Sequence, residues 1–177
     1  MKKLFAVALC LVLALSLVAC GGKSLQGSDE PQYYEGGVGD KMSTLFFDFT
    51  VNSVNFTSTY GDITLDEDIF LVANVTVKNV FDKDITMFDT DFQAQWGDDA
   101  DDAYCFPITF EYEDGLLDEM RQFPESYDLA SGKSRTGELV YIVPEGAEEY
   151  SISYLEMYTT KDGEEVEGDV FFVYFRP

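Results

Sequence analysis

The sequence predicts an all-β, antiparallel domain of two packed sheets, with about seven or eight strands. Three observations carry this. From Met42 onward, β-branched and aromatic residues alternate with polar ones between turn clusters. The alternating segments are of modest length and end at turns such as Ser131-Gly132-Lys133 and Pro144-Glu145-Gly146. The helical candidate is short, residues 115–122, with Leu116, Leu117 and Met120 on one side. Two sheets packed face to face are the reading, and a closed barrel is the alternative that satisfies the same pattern.

In order along the chain, residues 45–51 place Phe47, Phe49 and Val51 on one face. Val54 and Phe56 then have the opposite parity, so a bulge is expected near Asn52-Ser53. Residues 59–68 read as a polar, acidic connection. Residues 69–81 are the clearest strand: Leu71, Ala73, Val75 and Val77 point one way, Asn74, Thr76 and Lys78 the other. Phe92, Ala94 and Trp96 alternate with Gln93 and Gln95. Residues 104–112, 126–129 and 136–143 continue the strands. Residues 150–160 and 166–175 flank Lys161-Asp162-Gly163-Glu164, a hairpin signal.

The first 41 residues are of another kind. Lys2 and Lys3 precede an apolar run from Leu4 to Val18 that is too short to span a bilayer and reads as a secretory signal. The run ends in Leu17-Val18-Ala19-Cys20, which resembles the bacterial lipobox. That resemblance implies cleavage after residue 19 and a thioether-linked diacylglycerol on Cys20. Two acyl chains anchor stably where one holds only marginally. An ordinary signal peptide with an incidental cysteine is the alternative. Six of the 14 glycines fall in residues 21–41, so residues 20–41 read as a lipidated cysteine and flexible linker, with the domain at 42–177. A coil of that length spans roughly 25 Å. Tyr33-Tyr34 within it would dock on the domain, do nothing, or meet a partner; the first two are favoured.

Composition excludes several classes. Loss of residues 1–19 removes Lys2 and Lys3 and no acid, leaving 9 basic and 34 acidic residues and a formal charge of −25. Nucleic acid is excluded as a partner, since its binding needs lysine and arginine on phosphates. The chain has no histidine, which excludes serine–histidine triads, cysteine–histidine dyads and imidazole–zinc sites. Cys10 leaves with the signal and Cys20 takes lipid, so Cys105 has no disulfide partner. Its apolar neighbours Tyr104 and Phe106, with Asp98, Asp99, Asp101 and Asp102 nearby, mark it as a buried apolar residue and not a reactive thiol.

Phe70-Leu71-Val72-Ala73-Asn74-Val75-Thr76-Val77-Lys78-Asn79, followed by Asp91-Phe92-Gln93-Ala94, then Leu129-Ala130-Ser131-Gly132-Lys133-Ser134-Arg135-Thr136-Gly137 and Val140-Tyr141-Ile142-Val143-Pro144-Glu145-Gly146, resembles a family of bacterial surface lipoproteins. Those proteins carry a telokin-like, immunoglobulin-like domain of unknown function. The resemblance covers residues 41–175 and implies an immunoglobulin-like sandwich without catalytic residues. The antibody-type disulfide is missing, Trp96 stands where a core tryptophan could, and no tyrosine-corner pattern precedes Tyr141.

The sharpest chemical candidate is Asp98-Asp99-Ala100-Asp101-Asp102. Ca²⁺ takes six to eight oxygens, often from carboxylates on one loop. The EF-hand template fails, because Ala103 and Tyr104 stand where a ligand and a glycine are needed. A solvated acidic loop is the favoured reading. Asp62, Asp66, Glu67 and Asp68 form a second acidic loop. Nothing singles out the paired carboxylates of a glycosidase, so no enzyme and no cofactor are expected.

The expectation is a module anchored to the cell membrane through Cys20, on its extracytoplasmic face, binding an envelope or extracellular protein or peptide. An exposed aromatic patch or an open sheet edge would favour it. A Ca²⁺ or small-ligand sensor on the acidic loops is the alternative. A protease-inhibitor-like module, with residues 115–126 as a protruding loop, is a weaker one.

Overall fold

The computed structural model describes residues 31–97, 103–108, 121–160 and 162–177. The signal segment and most of the helical candidate at 115–122 lie outside the described residues.

Among the described residues, the strands are β1 Tyr33–Gly37, β2 Lys41–Ser43, β3 Phe47–Thr57, β4 Thr59–Tyr60, β5 Ile63–Thr64, β6 Asp68–Asn79 and β7 Ile85–Phe88. They continue with β8 Gln93–Trp96, β9 Tyr104–Cys105, β10 Ser126–Leu129, β11 Ser134–Pro144, β12 Tyr150–Thr159 and β13 Glu165–Phe175. One sheet has the order β11-β6-β3-β2 and the other β1-β13-β12-β8-β9. Two small hairpin-like pairs, β10-β7 and β4-β5, complete the fold. The connection read at 59–68 thus contains β4 and β5. The chain crosses from β6 to β8, back from β9 to β11, and again to β12, which makes an immunoglobulin-like sandwich.

The core lies between the sheets. Phe47, Phe49 and Val51 of β3 and Leu71, Ala73, Val75 and Val77 of β6 are buried, as their parity requires. Facing them are Phe92, Ala94, Ile152, Tyr154, Phe171 and Val173. Phe47, Phe49, Phe92 and Tyr154 meet edge to face, with ring centroids 4.8–6.3 Å apart. Burial of each such ring contributes roughly 1.5–3 kcal/mol, which replaces the missing inter-sheet disulfide. The β3 ladder shifts register between Val51 and Ser53, at the expected bulge, and this returns Val54 and Phe56 to the core side.

Three expectations change. The domain begins at β1, inside the segment read as linker. Tyr33–Gly37 pairs with Val170–Tyr174, and Tyr34 stacks on Phe171 at 5.0 Å. A glycine-rich segment can do this because the ladder is made by backbone groups and needs few side chains. Second, this ladder is parallel, in an otherwise antiparallel set. Third, a tyrosine corner exists, at Tyr150 and not before Tyr141. Its hydroxyl donates to the Pro144 carbonyl at 2.6 Å and fixes the entry to β12.

Candidate functional site

The predicted site residues come first. Cys20, Asp98, Asp99, Asp101 and Asp102 lie outside the described residues. Of the second acidic loop, Asp62, Asp66, Glu67 and Asp68 are exposed, and among the described residues no three acids or cysteines stand close enough to hold a metal. Of the loop at 115–126, Gln122 and Phe123 are buried and Gln122 bridges to Glu138, so this part does not protrude. Cys105 is partly buried. Its thiol donates to the Ile142 carbonyl at 3.3 Å, and burial pushes its pKa up to about 12, so it stays a thiol.

The surface that stands out is the outer face of the five-stranded sheet. On β12, Tyr150, Ile152 and Tyr154 face the core, so Ser151, Ser153 and Leu155 face outward. On β13, Phe171, Val173 and Phe175 face inward, so Phe172 and Tyr174 face outward. On β8, Ala94 faces inward, so Gln93 and Gln95 face outward. The register sets these in rows: Tyr174, Ser151, Gln95 and Tyr104 lie side by side, and Phe172, Ser153 and Gln93 form the next row.

The result is a ridge of rings, a floor of hydroxyls and a ridge of amides. Tyr33, Phe172 and Tyr174 form the ring ridge. Neighbouring planes are within 15° of parallel and the centroids lie 6.4 and 5.7 Å apart. Tyr33 is 71 % exposed, Tyr174 36 % and Leu155 39 %. Ser151 and Ser153 are each only 3 % exposed, because the ridges rise on both sides. Ser153 Oγ donates to the Gln93 carbonyl at 3.3 Å, and Gln95 Nε2 donates to Gln93 Oε1 at 3.3 Å. The Ser151 hydroxyl has no hydrogen-bond partner among the described residues.

At one end the face deepens into a groove of about 860 Å³, lined among others by Ser151, Gln95, Tyr174, Trp96, Glu35 and Arg176. Glu148 and Glu149 also line it. Arg176 donates from Nε and Nη2 to Glu149 Oε2, both at 3.1 Å, so its charge is already paired. Burial, then Glu35 and Glu149, raise the Tyr174 pKa, and the phenol stays a hydrogen-bond donor at neutral pH. These groups can stack and hydrogen-bond; none is an activated nucleophile.

The Phe172 and Tyr174 ridge was hidden in the sequence because residues 170–175 are apolar on both faces, which erases the period of two. Only the pairing with the serines of β12 separates the faces.

Comparisons with known proteins agree with this architecture. No curated protein matches the chain. A Bacillus subtilis protein described as a candidate lipoprotein (ycdA) superposes with a TM-score of 0.51 at 24 % identity. That superposition covers 75 % of this chain but 38 % of that one, so this chain spans well under half of its length. The yjhA protein of Bacillus subtilis superposes with a TM-score of 0.50 at 21 % identity, over 79 % of this chain and 98 % of that one. An uncharacterized β-sandwich protein of Clostridium difficile gives a TM-score of 0.46 at 13 % identity, over 82 % and 97 %. The first two likenesses show the fold. A family model described as a domain of unknown function, DUF4352, matches residues 36–166. That span takes in the four-stranded sheet and β8, β9 and β12 but ends at the start of β13, and the chain belongs to the DUF4352 family.

Proposed function

We propose that this protein is a lipid-anchored, extracytoplasmic binding module without catalysis of its own, and that the outer face of the five-stranded sheet is its binding surface. The observation that carries the reading is the exposed ring ridge of Tyr33, Phe172 and Tyr174 beside a buried hydroxyl floor. Core packing does not require aromatic rings on the solvent side of a sheet. The order of the chain is compatible with the same reading. With Cys20 lipidated, the anchor precedes β1 in the chain. β1 starts at Tyr33, level with Val170, and its Glu35 lines the groove together with Tyr174.

Cysteine labelling of the full chain tests this. Leu155→Cys lies on the face, and Val80→Cys, 45 % exposed on the loop after β6, is the control. Cys105, with its raised pKa, contributes little background. A membrane-impermeant maleimide is expected to label both variants equally in the purified chain. On intact cells it is expected to label Val80→Cys and spare Leu155→Cys. Equal labelling on cells would mean an unoccupied face, and no labelling of the control would refute an outward location. Cys20→Ala is expected to release the chain from the membrane fraction.

A further inference from the structure

We infer that the trough between the ring ridge and the amide ridge binds a neutral glycan chain; this rests on the reading of that face as the binding surface. Four features point to this chemistry.

The trough repeats. A ring, a hydroxyl and an amide stand in line twice, as Tyr174, Ser151 and Gln95 and as Phe172, Ser153 and Gln93. The repeat runs along the strands and suits an extended polymer. The ridges stand two strand spacings apart, roughly 9–10 Å between backbones before side chains narrow the gap. A helix of about 10–12 Å does not seat there, whereas a single extended chain does.

The floor is not a sheet edge. β12 is paired on one side to β13 and on the other to β8, so its backbone groups are engaged. An extended peptide that binds by strand addition needs free backbone groups, and this surface offers only side chains. What it offers is a ligand's mirror image of a sugar chain: flat apolar rings for C–H faces, and uncharged hydroxyls and amides for hydroxyl groups.

The Ser151 hydroxyl supplies an independent observation. It is nine-tenths buried in the trough floor and has no partner among the described residues. Its oxygen opens into the groove, so in the free protein water completes its hydrogen bonding, and that water is replaceable. A ligand hydroxyl in the trough would take its place.

Charge selects against the acidic polymers. The lining carries Glu35, Glu148 and Glu149, its cation Arg176 is already bonded to Glu149, and the whole chain has a formal charge of −23. Nucleic acids, teichoic-type phosphates and uronate chains would be repelled.

The chain has one tryptophan, Trp96, and it lines this groove, so its emission reports on occupancy. The full chain is titrated with cellohexaose, chitohexaose and laminarihexaose as neutral probes. A hexagalacturonate serves as the acidic comparison and a ten-residue Ser-Gly-Asn peptide as the extended peptide. A saturable change with at least one neutral hexaose is expected, and none with the other two. Tyr174→Ala is expected to weaken binding roughly tenfold. Ser151→Ala is expected to weaken it about fivefold, with an unchanged melting temperature showing that the fold survives. The glycan inference is overturned if no neutral hexaose moves Trp96, if the acid or the peptide saturates instead, or if both variants titrate like the parent. In each case protection of Leu155→Cys on cells would leave the binding face standing with an occupant of another class. Loss of that protection as well would remove both readings.

Discussion

The two sheets share one fold and one core, yet their outer faces are built differently. On the four-stranded sheet, Asn52 Nδ2 donates to Asn74 Oδ1 and to Thr76 Oγ1, both at 2.9 Å, and the Thr76 and Thr136 hydroxyls meet at 2.8 Å. Tyr60 donates to Glu138 at 2.7 Å, and Lys41 pairs with Asp48 at 3.0 Å. These polar groups bond to one another across strands, and that is cross-strand stabilisation. The five-stranded sheet also bonds Gln95 and Ser153 to Gln93, but it turns exposed rings and the Ser151 hydroxyl, which has no side-chain bond, outward. Where polar groups satisfy each other, stability explains them. Where they do not, stability gives no account, and binding becomes the better one.

The comparison breaks if polar residues engaged in the fold prove dispensable. The largest effect is expected at Asn79, which is fully buried at the end of β6. Its Nδ2 donates to the Lys83 and Leu129 carbonyls and its Oδ1 accepts from the Phe81 N–H, all at 2.8 Å. Asn79→Ala removes three bonds to the backbone, the one to the Leu129 carbonyl fully buried, while the Phe81 N–H keeps the Phe46 carbonyl, and is expected to cost about 2–3 kcal/mol. Urea unfolding measures it; a loss below 1 kcal/mol would show that side-chain bonds do not hold this half.

The five-stranded sheet has its own structural polar residue, and it sharpens the contrast because it points inward. Glu156 stands at the register shift between Leu155 and Met157 and is 4 % exposed. Its Oε1 accepts from the Leu45 N–H at 2.6 Å, tying β12 to the turn before β3. Gly168 makes room for it, since a Cβ there would lie 2.9 Å from Glu156 Cβ. Gly168→Ala is therefore expected to cost about 2 kcal/mol by overpacking, again read from the urea midpoint.

The two halves also differ in how legible they were. The strand at β6, its buried face from Leu71 to Val77 and the bulge after Val51 follow from parity, although Phe70 and Val72 make the start of β6 apolar on both faces and pack in a second cluster with Tyr60 and Val140. Of the trough, the sequence shows the alternation of Gln93 and Gln95 but not what they face. Its aromatic ridge needs β13 resolved into two faces and the register of β12 known, and both are tertiary facts. β1 was illegible for another reason. Its ladder is made by backbone, so Gly36 and Gly37 look like linker although they pair with Val173 and Tyr174. The tyrosine corner at Tyr150 depends on a carbonyl six residues upstream, which no local pattern marks.

A smaller effect is expected from pH. Asp89 is buried in the 3₁₀ turn between β7 and β8, and burial, with Glu125 and Asp91 nearby, raises its pKa from 3.8 to about 6. A carboxyl with a folded pKa above its unfolded one binds its proton more tightly in the folded state. Its contribution therefore grows as pH falls from about 6 towards 4, and is lost as pH rises through 6. Every screened surface acid pushes in the same direction, so the difference between the parent and Asp89→Asn isolates this group. Asp89→Asn is expected to flatten the slope of unfolding free energy between pH 4 and pH 6. Parallel slopes would show that Asp89 titrates normally.

The smallest effect is the most discriminating, because it pairs one truncation from each outer face. Asn52→Ala removes two side-chain bonds on the four-stranded sheet and is expected to cost about 0.5–1 kcal/mol even though the residue is exposed. Ser151→Ala removes a residue that is 3 % exposed, and burial alone would predict the larger loss. The opposite is expected. The hydroxyl makes no side-chain bond within the fold and meets only water in the groove, so its removal should leave stability within about 0.5 kcal/mol of the parent. A residue that folding does not need, kept polar in a buried floor between rings and amides, is what a binding surface requires and a stability surface does not. If Ser151→Ala instead costs more than Asn52→Ala, the hydroxyl is engaged in holding the sheet, the two faces are built alike, and the case for the trough as a binding surface loses its footing.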